Sequence, residues 1–357
     1  PHVPPIPGLE EVGYFLSDDA LTLPQPPRSL LVLGGGVIAV ELGQFYFRVG
    51  SDVTLIESAP HLLPREDTDV SEALEAALSQ EGMRIVTGVK VLRAEQRDGK
   101  KVLVIARDGR EVSMAADAIF VATGRIPNLH GLNLEAAHVA MEGRRVRVNE
   151  FMQTSNPRIY VAGDAWGGTF LVHLAIAEGE VAARNAVEHA KIPMDYRVVP
   201  HAVFTDPNVA RVGPTEGECA LRKRDVVVAT YPFAEHGKAE VMGGTALQGF
   251  VKLIVDALSG EIIGAQAVGP EASDLIHELV AVISLRGTVE QFLKIPHIHP
   301  TLAEIWTYPA EEILEVLEER TMEARVTLMP GGYGPDEAEE CLEASSSRPE
   351  SPNPPRG

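Results

Sequence analysis

Residues Ser29 to Glu57 read SLLVLGGGVIAVELGQFYFRVGSDVTLIE, and this stretch decides the fold. An apolar run, Leu30 to Leu33, gives way to Gly34-Gly35-Gly36 and then to apolar residues at helical spacing. A second apolar run, Val53 to Ile56, stops at Glu57. Strand, tight glycine turn, helix and parallel strand together make a βαβ unit of the kind that binds dinucleotides. Gly34 lets the backbone turn sharply, and Gly36 brings no Cβ against a pyrophosphate. The helix that follows offers unpaired N–H groups and a positive dipole end to the phosphates. Ala39 stands at the third glycine position of the fingerprint, which tolerates alanine. Glu57 is placed to accept hydrogen bonds from both hydroxyls of an adenosine ribose and to repel a 2′-phosphate. No arginine follows closely (Ser58, Ala59, Pro60, His61), so NAD is favoured over NADP.

Outward from this unit, 357 residues with 45% apolar content provide for about two or three domains with real cores. A net charge of −20 argues against a nucleic-acid partner and against an anionic membrane surface. No run of about 18 uncharged apolar residues exists, which excludes a helical membrane span. The opening PHVPPIPGLEE has neither a basic region nor an apolar core of the signal-peptide kind, and it lacks a methionine, so a start in mid-protein is expected. Two widely separated cysteines, Cys219 and Cys341, exclude a disulfide framework, point to a reducing cytoplasm and read as free thiols.

Residues 1–28 are proline-rich and read as a connector. After Glu57 a helix is predicted over Val70 to Gln80, then strands at Arg84–Val86, Val91–Gln96 and Lys101–Ala106 with DGK and RDGRE turns, and a buried strand at Asp117–Thr123. Asn128 to Asn149 reads as a surface excursion. A buried strand at Arg158–Ala162 ends at Gly163-Asp164, and Leu171 to Val187 reads as a helix. From Pro200 the strands at Ala202–Phe204, Val226–Tyr231, Phe250–Asp256 and Glu261–Val268 precede helices at Glu271–Leu285, Val289–Lys294 and Thr301–Arg320, the texture of an α+β domain. The end, SSSRPESPNPPRG, is acidic-to-polar, rich in Ser and Pro, and reads as disordered.

The best candidate chemistry outside the glycine loop is His297-Ile298-His299-Pro300-Thr301-Leu302-Ala303-Glu304. Pro300 keeps His299 off a helix and on an extended segment. Thr301 and Glu304 have the spacing of a capping box. They also leave room for a second reading, in which Glu304 orients and stabilises a protonated His299. Local sequence favours the cap. A metal shared by His297 and His299 lacks a third ligand at suitable spacing, and none is expected.

These motifs in combination carry a resemblance. LGGGVIAVELG with VTLIE, FVATGRIPN, TSNPRIYVAGDA, HAVFTDPNVARVG and HIHPTLAE resemble the FAD-dependent pyridine nucleotide–disulfide oxidoreductases, and within them most closely the dihydrolipoamide dehydrogenases. The resemblance runs from PPIPGLE to about Arg320. It implies an α/β chain: a connector over 1–28, a Rossmann-like NAD domain over 29–125 inserted in a partial FAD domain whose C-terminal part is 126–197, an α+β dimerisation domain over 198–321, and a tail over 322–357.

The same resemblance implies roles. Gly34, Gly35, Gly36, Val37, Ile38, Ala39, Val40 and Glu41 would lie along the NAD, Glu57 would hold its ribose, and Val91 and Gly124 would line the same site. Gly163 and Asp164 would meet the ribityl chain of FAD, with Phe170, Leu171, Val172 and His173 near its ring. His299 would be the acid–base residue that takes a proton from a dithiol, with Glu304 as its partner, serving the opposite subunit of a homodimer. The implied reaction is dihydrolipoamide plus NAD+ to lipoamide plus NADH, with a small disulfide or dithiol as substrate, such as the lipoyl domain of a 2-oxoacid dehydrogenase complex. One departure is severe: the family's first glycine fingerprint and its redox-active CxxxxC pair are absent. The chain is therefore expected to be a fragment that binds NAD weakly and FAD poorly, and lacks dithiol oxidation by itself. A mercuric reductase, a soluble transhydrogenase and a non-catalytic NAD-binding or dimerising module are the alternatives. A mercuric reductase usually lacks the terminal histidine, and HIHPTLAE speaks against both enzymes.

Overall fold

The computed structural model describes residues 1–328. Two one-turn helices, α1 (Leu9–Val12) and α2 (Ser17–Ala20), precede the first strand. The opening segment is packed rather than free: Leu9 is buried, the Pro7 carbonyl accepts from the Ala94 N–H, and the Phe15 ring stacks on Phe120 at 5.1 Å.

The predicted βαβ unit forms as β1 (Ser29–Leu33), α3 (Val37–Arg48) and β2 (Asp52–Ile56). There follow α4 (Thr68–Glu81), β3 (Arg84–Val86), β4 (Lys90–Arg97), β5 (Lys100–Arg107), β6 (Arg110–Ala116) and β7 (Ala118–Val121). A four-stranded parallel sheet takes the order β3-β2-β1-β7, with Ser29 opposite Asp52 and Leu33 opposite Ile56. Leu30 to Leu33 are all buried, as strands covered on both faces require. Strands β4, β5 and β6 form a separate antiparallel sheet. Strand β6 lies outside the strands expected from the sequence: it exposes most of its residues, so no apolar alternation announces it.

A second correction concerns Arg158–Ala162, expected as a buried strand. It makes one isolated bridge, Tyr160 to Gln153, and stays half exposed, because no other described strand lies beside it to complete a ladder. The surface excursion contains only the two-residue strands β8 (Met141–Glu142) and β9 (Arg145–Val146), and the predicted helix forms as α5 (Val172–Glu188).

The C-terminal unit runs β10 (His201–Val203), β11 (Asn208–Val212), α6 (Glu216–Leu221), β12 (Val226–Pro232), α7 (Gly237–Met242), β13 (Phe250–Asp256), β14 (Ile262–Gly269), α8 (Ala272–Ser284), α9 (Val289–Leu293) and α10 (Thr307–Leu328). Its five strands form one antiparallel sheet in the order β10-β11-β14-β13-β12, backed by a core that includes Ile276, Phe292 and Trp306. Strand β14 is buried along its whole length. The last helix starts later than expected, after a 3-10 turn at Ala303–Trp306, and runs to Leu328, so residues 322–328 are helical where a tail was expected. The rest of the expected tail, 329–357, lies outside the described residues.

Two kinds of contact fix the units to each other. Val203, Val209 and Val268 share one apolar core with Leu74 and Leu78 of α4, each fully buried leucine contributing about 1.5–3 kcal/mol. Beside this core runs a polar seam. Glu66 meets His201 at 2.8 Å and Arg211 at 2.9 Å, and Asp67 accepts the Glu216 and Gly217 N–H groups. The nearly inaccessible Lys252 lies 2.6 Å from Asp69.

Candidate functional site

At the C-terminal edge of the parallel sheet, the turn after β1 is built for glycine. Gly34 has φ +116°, and a Cβ there would sit 2.4 Å from the Ala122 carbonyl oxygen. Gly36 is extended, with open space where a Cβ would point, and it caps α3 with no side-chain hydrogen bond to the helix N-terminus. The first-turn N–H groups of this 12-residue helix therefore face a cleft of about 1660 Å³.

Glu57, at the end of β2, spans the turn. Its Oε2 accepts the Gly35 N–H at 2.5 Å, and its Oε1 accepts the Ala59 N–H at 2.7 Å and the Ser58 hydroxyl at 2.9 Å. A carboxylate offers roughly four acceptor positions. Three are in use, which leaves one for a ligand and makes the Ser58 hydroxyl the contact a second ligand group would displace. Sequence spacing found Glu57 and missed Ser58, because a serine following a strand carries no signal of its own.

The cleft brings Gly34, Gly36, Val37, Ile38, Glu57, Val91, Gly124, Phe170 and Leu171 together along its walls. Other expected residues are placed elsewhere. Gly35 lies behind the loop, where a Cβ would collide with the Glu57 side chain, and Ala39 and Val40 are fully buried in the core. Burial raises the Glu41 carboxyl above the usual range, and it accepts the Phe204 N–H at 2.8 Å. Val172 and His173 are exposed at the start of α5, with His173 Nε2 2.7 Å from the Pro200 carbonyl.

Gly163 and the exposed Asp164 stand on a 3-10 turn, Gly163–Ala165, packed against α5. That turn is held by a residue the sequence reading passed over. Glu178 is fully buried: its Oε2 accepts the Gly163 N–H at 2.7 Å and the Trp166 indole N–H at 3.0 Å, and its Oε1 accepts the Tyr196 hydroxyl at 2.9 Å. Burial, followed by that hydrogen bond, raises the Tyr196 phenol well above its ordinary range. Helical spacing could have found Glu178, since the buried stripe of α5 runs Leu174, Glu178, Ala182, Asn185 and a carboxylate in such a stripe needs donors.

The two readings of Glu304 resolve into one geometry. Its Oε2 lies 2.9 Å from His299 Nδ1, and its Oε1 accepts the Thr301 N–H at 3.2 Å. The Thr301 hydroxyl does not close the capping box; it donates to the Ile298 carbonyl at 2.7 Å. Glu304 is mostly buried while the His299 side chain is 79% exposed, so a fixed carboxylate holds one face of an imidazole turned to solvent. His297 faces elsewhere, with Nε2 2.8 Å from Glu278. Cys219 is buried against Ile254 and Ile263, and burial raises its thiol above the usual range, the opposite of a reactive thiolate.

Residues 1–179 match the family model described as pyridine nucleotide-disulphide oxidoreductase, and residues 199–310 match that family's dimerisation domain. The chain belongs to this family. It is 38% identical over 305 residues to a mercuric reductase of Staphylococcus aureus, covering 85% of this chain and 55% of that protein. It is 40% identical over 281 residues to a dihydrolipoyl dehydrogenase of Thermus scotoductus, covering 78% of this chain and 60% of that one. Among solved structures, the HOCl-induced flavoprotein disulfide reductase RclA from Escherichia coli matches with a TM-score of 0.78 at 28% identity, over 87% of this chain and 71% of that chain. The chain thus spans 55–60% of the length of these two curated relatives.

Pyridine nucleotide-disulphide oxidoreductases use FAD and NAD(P), and the architecture here is theirs: a Rossmann-like nucleotide domain set within part of an FAD-binding domain, followed by an α+β dimerisation domain. The residues present fit both nucleotides. The open Gly36 cradle and uncapped α3 suit a diphosphate, and the exposed Asp164 beside the uncapped N-terminus of α5 suits a polyhydroxyl chain next to an electron-accepting ring. Among the described residues, no helix is long and apolar enough to cross a membrane.

Proposed function

We propose that this chain supplies the NAD site, part of the FAD site and the acid–base pair of a homodimeric disulfide oxidoreductase, and that its reaction is the oxidation of dihydrolipoamide by NAD+. The observation that carries this reading is the solvent-facing His299 held by Glu304 at 2.9 Å within the stretch matching the dimerisation domain. A carboxylate that fixes one ring nitrogen and leaves the other open to solvent is the arrangement that acid–base work needs.

The family resemblance, together with the geometry described above, supports the following roles. His299, projecting toward the partner's site, takes a proton from the dithiol, and Glu304 stabilises the imidazolium that results. The resulting thiolate attacks a redox-active disulfide that lies outside this chain. FAD held by Gly163, Asp164 and the start of α5 would supply the electron transfer between the dithiol and the nicotinamide. In balance, dihydrolipoamide plus NAD+ gives lipoamide plus NADH plus a proton. Gly34, Gly36 and the amides of Val37 and Ile38 hold the diphosphate, Glu57 holds the adenosine ribose and disfavours a 2′-phosphate, and Val91 and Gly124 bound the pocket. Asp164 with Gly163 binds the ribityl chain, and Phe170 to His173 present the start of α5 to the flavin ring. The domain division proposed is 29–125 for NAD, 126–197 for FAD and 198–321 for dimerisation. A cytoplasmic location accords with the buried, unpaired Cys219.

The test uses the product of the complete coding sequence. His299→Ala is expected to lower dihydrolipoamide-dependent NAD+ reduction by about 10²–10⁴-fold with flavin content unchanged. An unimpaired variant overturns the reading. The 38% identity to a mercuric reductase supports a second one, in which Hg(II)-dependent oxidation of reduced nicotinamide exceeds dihydrolipoamide oxidation.

A further inference from the structure

Behind the His299–Glu304 pair lies a third ionisable side chain. His236 ends the 3-10 turn Phe233–Glu235 and caps α7, and its side chain is wholly inaccessible. Its Nε2 is 3.8 Å from Glu304 Oε1, and neither ring nitrogen has a hydrogen-bond partner among the described residues. A neutral imidazole carries one N–H and one lone pair, and leaving both unpaired when buried costs what lost hydrogen bonds cost. A core position that only needed filling would be served better by leucine or phenylalanine.

The surroundings say what the imidazole is held for. The Tyr308 ring on α10 stands edge-on to it at 6.0 Å and is itself stacked on Tyr231 of β12 at 4.2 Å. The Tyr231 hydroxyl donates to the Glu235 carbonyl, closing that side. From its own element, Glu240 uses its backbone N–H on the His236 carbonyl. Among the described residues, the one opposite charge within ion-pairing range of the ring is Glu304, and His299 lies beyond it. Glu304 Oε1 has a single donor, the Thr301 N–H, so a lone pair remains on the side that His236 faces.

We propose that His236 is a positioning residue for the His299–Glu304 pair, the rear member of two imidazoles that share one carboxylate. With His236 neutral, the charge of Glu304 serves His299 alone. With His236 protonated, a movement on the order of 1 Å closes a charge-assisted bond to Oε1, and the carboxylate is divided between two cations. Burial pushes the His236 imidazole below the usual histidine range, Glu304 opposes that and His299 adds to it, so the neutral form holds at neutral pH and the rear cation forms only in acid. The catalytic meaning rests on the role proposed above for His299. The coupling itself does not, since all three residues belong to this chain.

The test is therefore made on this chain without flavin, cysteine pair or substrate, by following histidine ring resonances against pH. In the native chain the His299 resonances are expected to show two inflections, the lower one at the midpoint of His236. In His236→Asn and in the volume-filling His236→Phe, the lower inflection is absent. In Glu304→Gln the proton affinity of His236 falls by about threefold or more. Superimposable His299 curves in a folded His236 variant, or a His236 midpoint unmoved by Glu304→Gln, overturn the proposal and leave His236 a core residue. Dithiol turnover in the complete protein is a separate readout. An NMR coupling without activity would count against the reaction, and activity without the coupling would count against His236.

Discussion

Single residues carry the nucleotide and turn geometry, and each can be tested alone. Glu57 takes Ser58 and Ala59 on Oε1 and Gly35 on Oε2, so its carboxylate is oriented before any ligand arrives. A hydrogen bond to a charged acceptor is worth about 1.5–3 kcal/mol, which corresponds to about 10-fold to 100-fold in affinity. Glu57→Ala is therefore expected to raise the Kd for NAD+ by at least about tenfold in calorimetric titration of this chain. Ser58→Ala should stay within about twofold, because its hydroxyl only yields its place to the ribose. An unchanged Kd in the first variant would remove Glu57 from the site. Glu178 is tested by stability instead. Truncating it removes the acceptor of one buried donor (the Gly163 N–H) and two part-buried ones, and Glu178→Ala should lower the unfolding free energy by about 2 kcal/mol or more in urea. A loss under about 1 kcal/mol would mean that water replaces the carboxylate. Ser58 was not legible in the sequence, since a serine after a strand leaves no spacing pattern, whereas Glu178 falls in the buried stripe of α5, where a carboxylate needs donors. Gly34, Gly36 and Glu57 were legible because a backbone turn and an acid at a strand end form one local motif.

Elements were legible where burial and periodicity agreed. Strands β1, β2 and β14 are buried along nearly their whole length, and their apolar runs announce them. Strand β6 faces solvent, β11 follows a proline-containing turn, and α6 and α7 are single-turn helices of six residues, too short for a 3.6-residue pattern to register. The Arg158–Ala162 run shows the opposite failure, since an apolar run becomes a strand only when a neighbour takes its ladder bonds. The seam between α4 and the antiparallel sheet was invisible to local reading, and it predicts a pH response. Burial alone would raise the Glu66 carboxyl, but the His201 hydrogen bond and the charges of His201 and Arg211 outweigh it and hold the group below its ordinary value. Asp67 follows the same pattern, with the Gly217 and Glu216 N–H groups and Lys252 outweighing burial. A carboxyl depressed in the folded state binds fewer protons there than when unfolded. Its stabilisation is complete above the unfolded midpoint, about pH 4.3 for glutamate, and is lost as pH falls through the folded one. Stability should therefore drop steeply below about pH 4.3. In Glu66→Gln that acid limb should be shallower, with a loss of about 1–3 kcal/mol already present at pH 7. Identical slopes in native and variant denaturation curves would assign the acid limb to other carboxylates.

For the whole molecule, the acid–base role proposed for His299 requires a second copy that presents its flavin side to it, and the match of residues 199–310 to the family's dimerisation domain accords with that dimer. Ile298, immediately before His299, is 76% exposed, an apolar side chain of the sort that a two-fold contact covers. Two such chains approach each other each with a net charge of −20. Repulsion between like net charges is weakened when the Debye length falls from about 30 Å at 0.01 M salt to about 8 Å at 0.15 M. Sedimentation equilibrium should accordingly show a dimer whose dissociation constant decreases over that salt range, because apolar burial is retained while long-range repulsion is screened. Ile298→Asp adds two further charges at the contact and removes two buried side chains. It should raise the dissociation constant by at least about tenfold at either salt concentration, since burying each isoleucine is worth about 1.5–3 kcal/mol. A variant that dimerises as tightly as the native chain would place Ile298, and with it the outward face of the His299–Glu304 pair, away from the two-fold contact. Acid–base service to the opposite subunit would then fail on geometry alone, whatever the chemistry of the imidazole.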